Sequence, residues 1–149
     1  MIELTFEYTL QKVLDLKKRQ KEELQQQYSE AMNTFETVAT KLYHLLKQRE
    51  KLEEQAREKI AVGTSIHELQ QREMLIVQLH QEIQQQQRAT SLARERMDKK
   101  HRDLQAISIE LKKYEKMKQQ KQERFLLEEK KREQQIMDEL SVQAFAFRV

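Results

Sequence analysis

Apolar side chains recur along the first half of this chain at alternating spacings of three and four residues. Upstream, the pattern includes Leu10 and Leu14 but then Lys17 and Lys21, so we expect a weaker seam there, covered by lysine stems. A repeat of this kind is typical of a helix that buries a narrow seam against another helix. Its uninterrupted part contains one residue that is not apolar, Arg49, and runs through Leu24, Tyr28, Ala31, Phe35, Val38, Leu42, Leu45, Arg49, Leu52 and Ala56.

The second half predicts another long helix with a seam of its own. One position repeats every seven residues and is mostly apolar, whereas its companion position is more polar and includes Arg72, Gln86 and Lys100. The first series is Leu69, Ile76, Ile83, Thr90, Met97, Leu104 and Leu111, and the second is Arg72, Leu79, Gln86, Ala93, Lys100, Ile107 and Tyr114.

A turn is predicted between the two helices at Gly63, the one glycine of a chain that has no proline. Glycine is the usual residue just after a helix ends. Ser65 and Glu68 follow with the spacing of a capping box, in which each side chain accepts a backbone N–H of the other residue. We therefore predict helices over about 9–61 and 66–140, a turn over 62–65, and a tail over 141–149.

The two seams predict one register. In an antiparallel pair, facing residues have numbers with a constant sum, and that sum is 128 for Leu52 with Ile76, Leu45 with Ile83, and Val38 with Thr90. Half of this sum is 64, and residue 64 lies inside the predicted turn. The expected fold is all-α, a single domain over 1–149 in which two long helices form an antiparallel coiled-coil hairpin. The second helix is longer, and it overhangs the first from about Leu126.

Composition agrees with a narrow seam and excludes several classes of function. Charged residues make up 36% and hydrophobic residues 38%, with a mean hydropathy of −0.94. The 28 basic and 25 acidic residues are interspersed, which favours solvated faces over a nucleic-acid interface. The chain has no cysteine, no run of about 18 apolar residues and no secretion signal, so we expect a cytoplasmic protein.

Chemistry of its own is not expected. The sequence lacks a glycine-rich phosphate loop and a thiol, and His67-Glu68 lacks the second histidine of a zinc-protease helix. The register also matches His44 and His80 poorly as a ligand pair. We predict no catalytic residue, no cofactor and no metal site.

Two apolar regions exceed what a two-helix seam can cover. Near the turn, Tyr43, Leu46, Leu75 and Val77 are expected to form an exposed apolar surface, either a partner site or extra packing. The overhang is the second region, and its alternatives are insertion into another protein, homo-oligomeric packing or disorder. Its candidate anchors are Ile136, Met137, Leu140, Phe145 and Phe147.

Both ends of the chain carry segments that resemble a known family. Residues 6–17, FEYTLQKVLDLK, resemble the opening of the flagellar export protein family FliJ, and residues 131–140, KREQQIMDEL, resemble its closing segment. The resemblance implies a component of the flagellar type III export apparatus that is a two-helix coiled coil. It also implies three partners: the hexameric export ATPase, the cytoplasmic domain of the membrane export gate protein, and export chaperones.

Mapped onto this sequence, the resemblance implies two binding regions and a peripheral location at the cytoplasmic face of the cell membrane, held there through protein partners. A generic self-associating coiled-coil scaffold is the alternative, and binding of the basic C-terminal stretch to anionic membrane is a weaker one. The end that faces the ATPase ring would use Phe6, Leu10, Val13, Leu14, Ile136, Met137 and Leu140. The patch that faces the gate would use Tyr43, Leu45, Leu46, Leu52, Leu75, Ile76, Leu79 and Ile83.

Overall fold

The computed structural model describes residues 9–148, and these form two α-helices. Helix α1 spans Gln11–Val62, 52 residues, and helix α2 spans Ile66–Arg148, 83 residues. The described residues contain no strand. The two helices pack against each other, so the predicted all-α fold with a longer second helix is confirmed.

The chain divides into two compact units, of which one is Glu22–Gln105. Within it, α1 and α2 lie antiparallel on either side of the turn, and every seam position predicted from the sequence is buried or half-buried. The Thr90 hydroxyl donates to the Val38 carbonyl oxygen at 3.5 Å, and the Lys100 ammonium donates to Gln27 Oε1 at 2.9 Å. These contacts confirm the predicted register in this unit to within one residue.

The other unit joins Met1–Lys21 to Ala106–Val149. Its described core is Leu14, 1% exposed, against Leu111, with Leu10 and Tyr114 packed beside them. Lys17 also forms an ion pair with Glu110, with 2.8 Å between Nζ and Oε2. A sum of 128 places Leu14 opposite Tyr114, which packs beside it, and the numbers of Lys17 and Glu110 sum to 127, so the predicted register also holds in this unit to within one residue.

The turn confirms half of the predicted capping box. Gly63 has a φ of +100°, a left-handed conformation that favours glycine. The backbone N–H of Glu68 donates to Ser65 Oγ at 3.2 Å, as predicted. The Glu68 carboxylate, however, accepts the hydroxyl of Thr64 at 2.7 Å, so the predicted reciprocal bond to the Ser65 backbone is wrong. The donor to Glu68 is therefore the side chain of Thr64 rather than the backbone of Ser65.

Helix α2 continues to Arg148, so the predicted end near residue 140 and the predicted tail over 141–149 are wrong. The segment after Leu140 contains neither glycine nor proline, and its alanines favour a helix. Every side chain from residue 130 to residue 148 is exposed. The ring-facing candidate Phe6 lies outside the described residues.

Candidate partner-binding surfaces

The eight residues predicted near the turn differ widely in their exposure. Ile83, 1% exposed, and Leu79 are buried in the seam between α1 and α2, where they present almost no surface to a partner. Tyr43 and Leu75 are more than half exposed. The remaining four are half-buried: Leu45, Leu46, Leu52 and Ile76. Six of the eight residues are thus apolar because they pack in or beside the seam. Only Tyr43 and Leu75 present most of their side chains to a partner.

The exposed apolar side chains near the turn do not form one surface. Leu75 and Val77 are both exposed, but they are two residues apart and point about 200° apart around α2. Ile76, between them, belongs to the seam, so the two side chains lie on opposite flanks of α2. Tyr43, Leu75 and Val77 are exposed as predicted, whereas Leu46 is half-buried.

Tyr43 forms a mixed apolar and cationic spot on α1. The ammonium of Lys47 lies 5.1 Å from the centroid of its ring, and the ring of His44 lies 5.7 Å away at a steep angle. An ammonium above an aromatic face is attracted by the negative charge of that face. Here a partner would meet an aromatic ring that is bordered by positive charge.

A groove of about 370 Å³ lies between the helices close to the turn. Its walls are apolar side chains from both helices, with charged side chains at the rim. One nitrogen of Arg72, Nη1, is shielded from solvent and has no hydrogen-bond partner among the described residues. The lining residues are Glu53, Ala56, Arg57, Ile60, Leu69, Arg72, Glu73 and Ile76.

The C-terminal part of α2 carries a continuous exposed apolar stripe. Ile136, Leu140, Ala144 and Phe147 follow one another at spacings of four, four and three residues, which places them on one helical face. Phe147 is 91% exposed. Phe145, 72% exposed, lies nine residues after Ile136 and so faces the opposite side of the helix. The five predicted anchors therefore do not share one face, and Phe145 stands apart.

The N-terminal residues predicted for the ring-facing end are less accessible than those on α2. Leu10 and Val13 are half-buried, and Leu14 is buried against Leu111. Ile136, Met137 and Leu140 are all more than half exposed. Of the described residues in this set, those on α2 offer nearly all of the free apolar surface.

Charged side chains on both helices fix local geometry. The hydrogen bond from Lys17 lowers the pKa of Glu110, and the same bond raises the pKa of Lys17. At the turn, the hydrogen bond from Thr64 is the largest cause that lowers the pKa of Glu68, followed by the charge of Lys59. These carboxylates serve as ionised structural acceptors near neutral pH.

Residues 9–148 contain no cluster of three or more histidine, cysteine, aspartate or glutamate side chains able to hold a metal ion. Across the same residues, no helix has an apolar stretch long enough to cross a bilayer.

The sequence did not reveal the environment of Arg72. The sequence shows that Arg72 occupies a seam position of the heptad repeat. The repeat does not show which of the two seam arginines, Arg49 or Arg72, lies beside a carboxylate. Arg49, the other seam arginine, has one: its Nε lies 4.0 Å from Oε1 of Glu53, one helical turn away. The equivalent position after Arg72 is Ile76, and the carboxylate one turn before it, Glu68, accepts the Thr64 hydroxyl while the charge of Arg72 helps to lower its pKa.

Comparison with known proteins identifies relatives along nearly the whole chain. The family model described as "Flagellar FliJ protein" matches residues 6–148. The flagellar FliJ protein of Bacillus subtilis (strain 168) is 31% identical over 142 residues, which cover 95% of this chain and 97% of that protein. No solved structure matches the chain significantly.

Proposed function

The chain belongs to the flagellar FliJ protein family, and we propose that it is a component of the flagellar protein export apparatus that acts by binding other proteins. The observation that carries this proposal is the family match over residues 6–148, together with exposed apolar surface at two separate places on the helices. A role in flagellum biogenesis and type III export follows from the same proposal, as does the absence of catalytic activity of its own.

For the export ATPase, we propose the C-terminal stripe of α2, formed by Ile136, Leu140, Ala144 and Phe147, with Met137 beside it. An exposed apolar face on a helix is suited to insertion into an apolar groove of a partner. Because the stripe runs along one face, the side chains can enter a partner together. Leu10 and Val13 would contribute only at their accessible edges.

For the cytoplasmic domain of the export gate, we propose contact near the turn through Tyr43 and Leu75, with the half-buried Leu45, Leu46, Leu52 and Ile76 as support. Leu79 and Ile83 would act indirectly, because they hold α1 and α2 in the geometry that presents the exposed residues. Export chaperones are a third proposed class of partner. The protein would then couple the ATPase to the gate at the cytoplasmic face of the membrane, held there by these proteins.

Binding measurements with purified partners test this function. We expect the full chain to bind the export ATPase and the gate domain separately, with Phe147→Glu reducing only the first interaction and Leu75→Glu only the second. Loss of both interactions in either single variant, or no binding by the wild-type chain, would contradict the proposal.

Self-association is the second candidate, because the same exposed stripe could pair with another copy of the chain. Sedimentation at micromolar concentration separates the two: a monomer that binds the ATPase supports the export role, and a stable dimer abolished by Phe147→Glu supports the scaffold.

A further inference from the structure

We propose that the groove around Arg72 is a docking site for a segment of a partner protein that presents a carboxylate beside an apolar side chain. This inference rests on the proposed function, since it assumes that the chain works by binding other proteins. It assigns a recognition chemistry to a groove in which Ile76 is the only residue that was predicted to face the gate.

The first argument is the state of Arg72 itself. Its Nη1 is shielded from solvent and lacks a hydrogen-bond partner, although a guanidinium nitrogen is a strong donor. A buried donor without an acceptor is unfavourable, and because Arg72 lines the groove, a carboxylate bound there would relieve the deficit once the guanidinium turns Nη1 towards it. A carboxylate is the acceptor that matches a guanidinium best in charge and geometry.

The second argument is the space around that donor. The groove of about 370 Å³ has Ala56 and Ile60 of α1 on one side and Leu69 and Ile76 of α2 on the other. Ile60 is 61% exposed, so apolar surface is open to an incoming side chain. The occupant must therefore be apolar as well as acidic, which describes one face of an amphipathic helix with Asp or Glu beside Leu or Ile.

The rim limits which acids can enter. Glu53 and Glu73 repel a strongly acidic segment, although Glu53 already lies 4.0 Å from Arg49. Arg57 at the same rim attracts an anion. A single carboxylate held close to an apolar side chain suits this arrangement, whereas an acidic cluster does not.

A small probe tests the recognition chemistry without any partner protein. Hexanoate added to chain labelled with ¹⁵N-arginine should shift the side-chain Nε–H signal of Arg72 and the methyl signals of Ile60 and Ile76 with one saturation curve. Hexanamide, which has the same apolar tail without the charge, should leave the Arg72 signal in place. Equal shifts at Arg72 and Arg49 with hexanoate, or no shift at Arg72, would overturn the inference.

A variant pair tests whether a partner uses the groove. Arg72→Leu should keep or raise the melting temperature, because it removes the unpaired donor and adds apolar surface to the seam, yet weaken binding of the purified gate domain at least tenfold. Arg94→Leu is the control, an exposed arginine of α2 outside the groove; it should change affinity by less than about twofold.

The outcomes separate the two proposals. Gate-domain binding that is unaffected by Arg72→Leu overturns docking of that partner in the groove and leaves the export role standing. A hexanoate response at Arg72 in a chain that binds neither gate domain nor ATPase supports the groove and contradicts the export role.

Discussion

The backbone carbonyl of Val38 accepts a hydrogen bond from the side chain of Thr90 across the interface between α1 and α2, at 3.5 Å. The same carbonyl accepts the side-chain amide of Gln86 at 3.1 Å. Both donors occupy seam positions where an apolar residue would be usual. Gln86 finds its acceptor across the interface, whereas the Thr90 hydroxyl also lies 2.7 Å from the carbonyl oxygen of Gln86 on its own helix, which is the closer acceptor. Polar residues in a seam specify register because other alignments leave them without partners. Of the two donors, Gln86 is the one that loses its partner if the helices slide, so its bond to Val38 favours this alignment in the unit Glu22–Gln105.

Leucines 14 and 16 lie on the same helix but differ in burial, and they make a matched pair for stability. Leu14 is 1% exposed against Leu111, whereas Leu16 is 52% exposed. Leu14→Ala should lower the free energy of unfolding by about 2–5 kcal/mol, because it removes buried surface and leaves a cavity. Leu16→Ala should change it by less than about 0.5 kcal/mol. Urea denaturation followed by circular dichroism measures both, and equal losses would contradict this packing.

Gly63 is needed for its backbone angle rather than for space. A Cβ built at this residue meets no atom within 4 Å, but φ is +100°. Gly63→Ala should therefore cost about 1–2 kcal/mol while the chain remains a monomeric hairpin. Gly63→Asn should cost less, because asparagine tolerates the left-handed region better. A shift to dimers in sedimentation of either variant would show that the turn itself cannot form without glycine.

The Thr64–Glu68 hydrogen bond makes the turn sensitive to acid. The pKa of Glu68 lies below its ordinary 4.5 when folded, so ionised Glu68 stabilises the fold above that pH and the contribution is lost as the pH falls through the lowered pKa. Thr64→Val should lower the melting temperature at pH 7, and the difference from wild type should shrink as the pH falls below 4.5. In a Glu68→Gln background, the difference should not depend on pH over this range.

The ion pair between Lys17 and Glu110 can be tested by exchanging the two charged residues. The pKa of Lys17 is raised above 10.5 and that of Glu110 is lowered below 4.5, so the pair stabilises between these values and is lost beyond either pKa. Lys17→Glu and Glu110→Lys should each lower the melting temperature, and the double exchange should restore most of the loss. Because the pair is at the surface, high salt should reduce all three differences. A double variant no better than the single ones would contradict a direct pairing.

Periodicity and turn chemistry predicted most of the fold, because a two-helix seam leaves a direct trace in sequence. Every predicted seam position is buried or half-buried, and the Val38–Thr90 pair is in contact as expected. The end of α2 was misjudged since helix ends depend on weak local preferences, and no glycine or proline marks a stop before Arg148. The reciprocal capping bond was misjudged because Thr64 offers Glu68 a competing donor.

The candidate surfaces were less predictable than the seam, because exposure depends on which face of a helix each residue occupies. Phe145 and Phe147 look equivalent in sequence, yet a two-residue separation places them on different faces of α2. Leu79 and Ile83 fit the apolar pattern of a binding patch, but both side chains are buried in the seam between the helices. The unpaired nitrogen of Arg72 depends on side-chain geometry that no spacing rule contains.

Stimulation of the purified export ATPase by the chain tests the central claim most directly, with Phe147→Glu and Phe145→Glu as a matched pair. Both phenylalanines are exposed and lie in the last turns of α2, so either glutamate should leave the fold intact. The account predicts that wild type and Phe145→Glu stimulate hydrolysis to within about twofold of each other, whereas Phe147→Glu loses at least about tenfold in apparent affinity. Equal stimulation by both variants, or none by the wild-type chain, would contradict it.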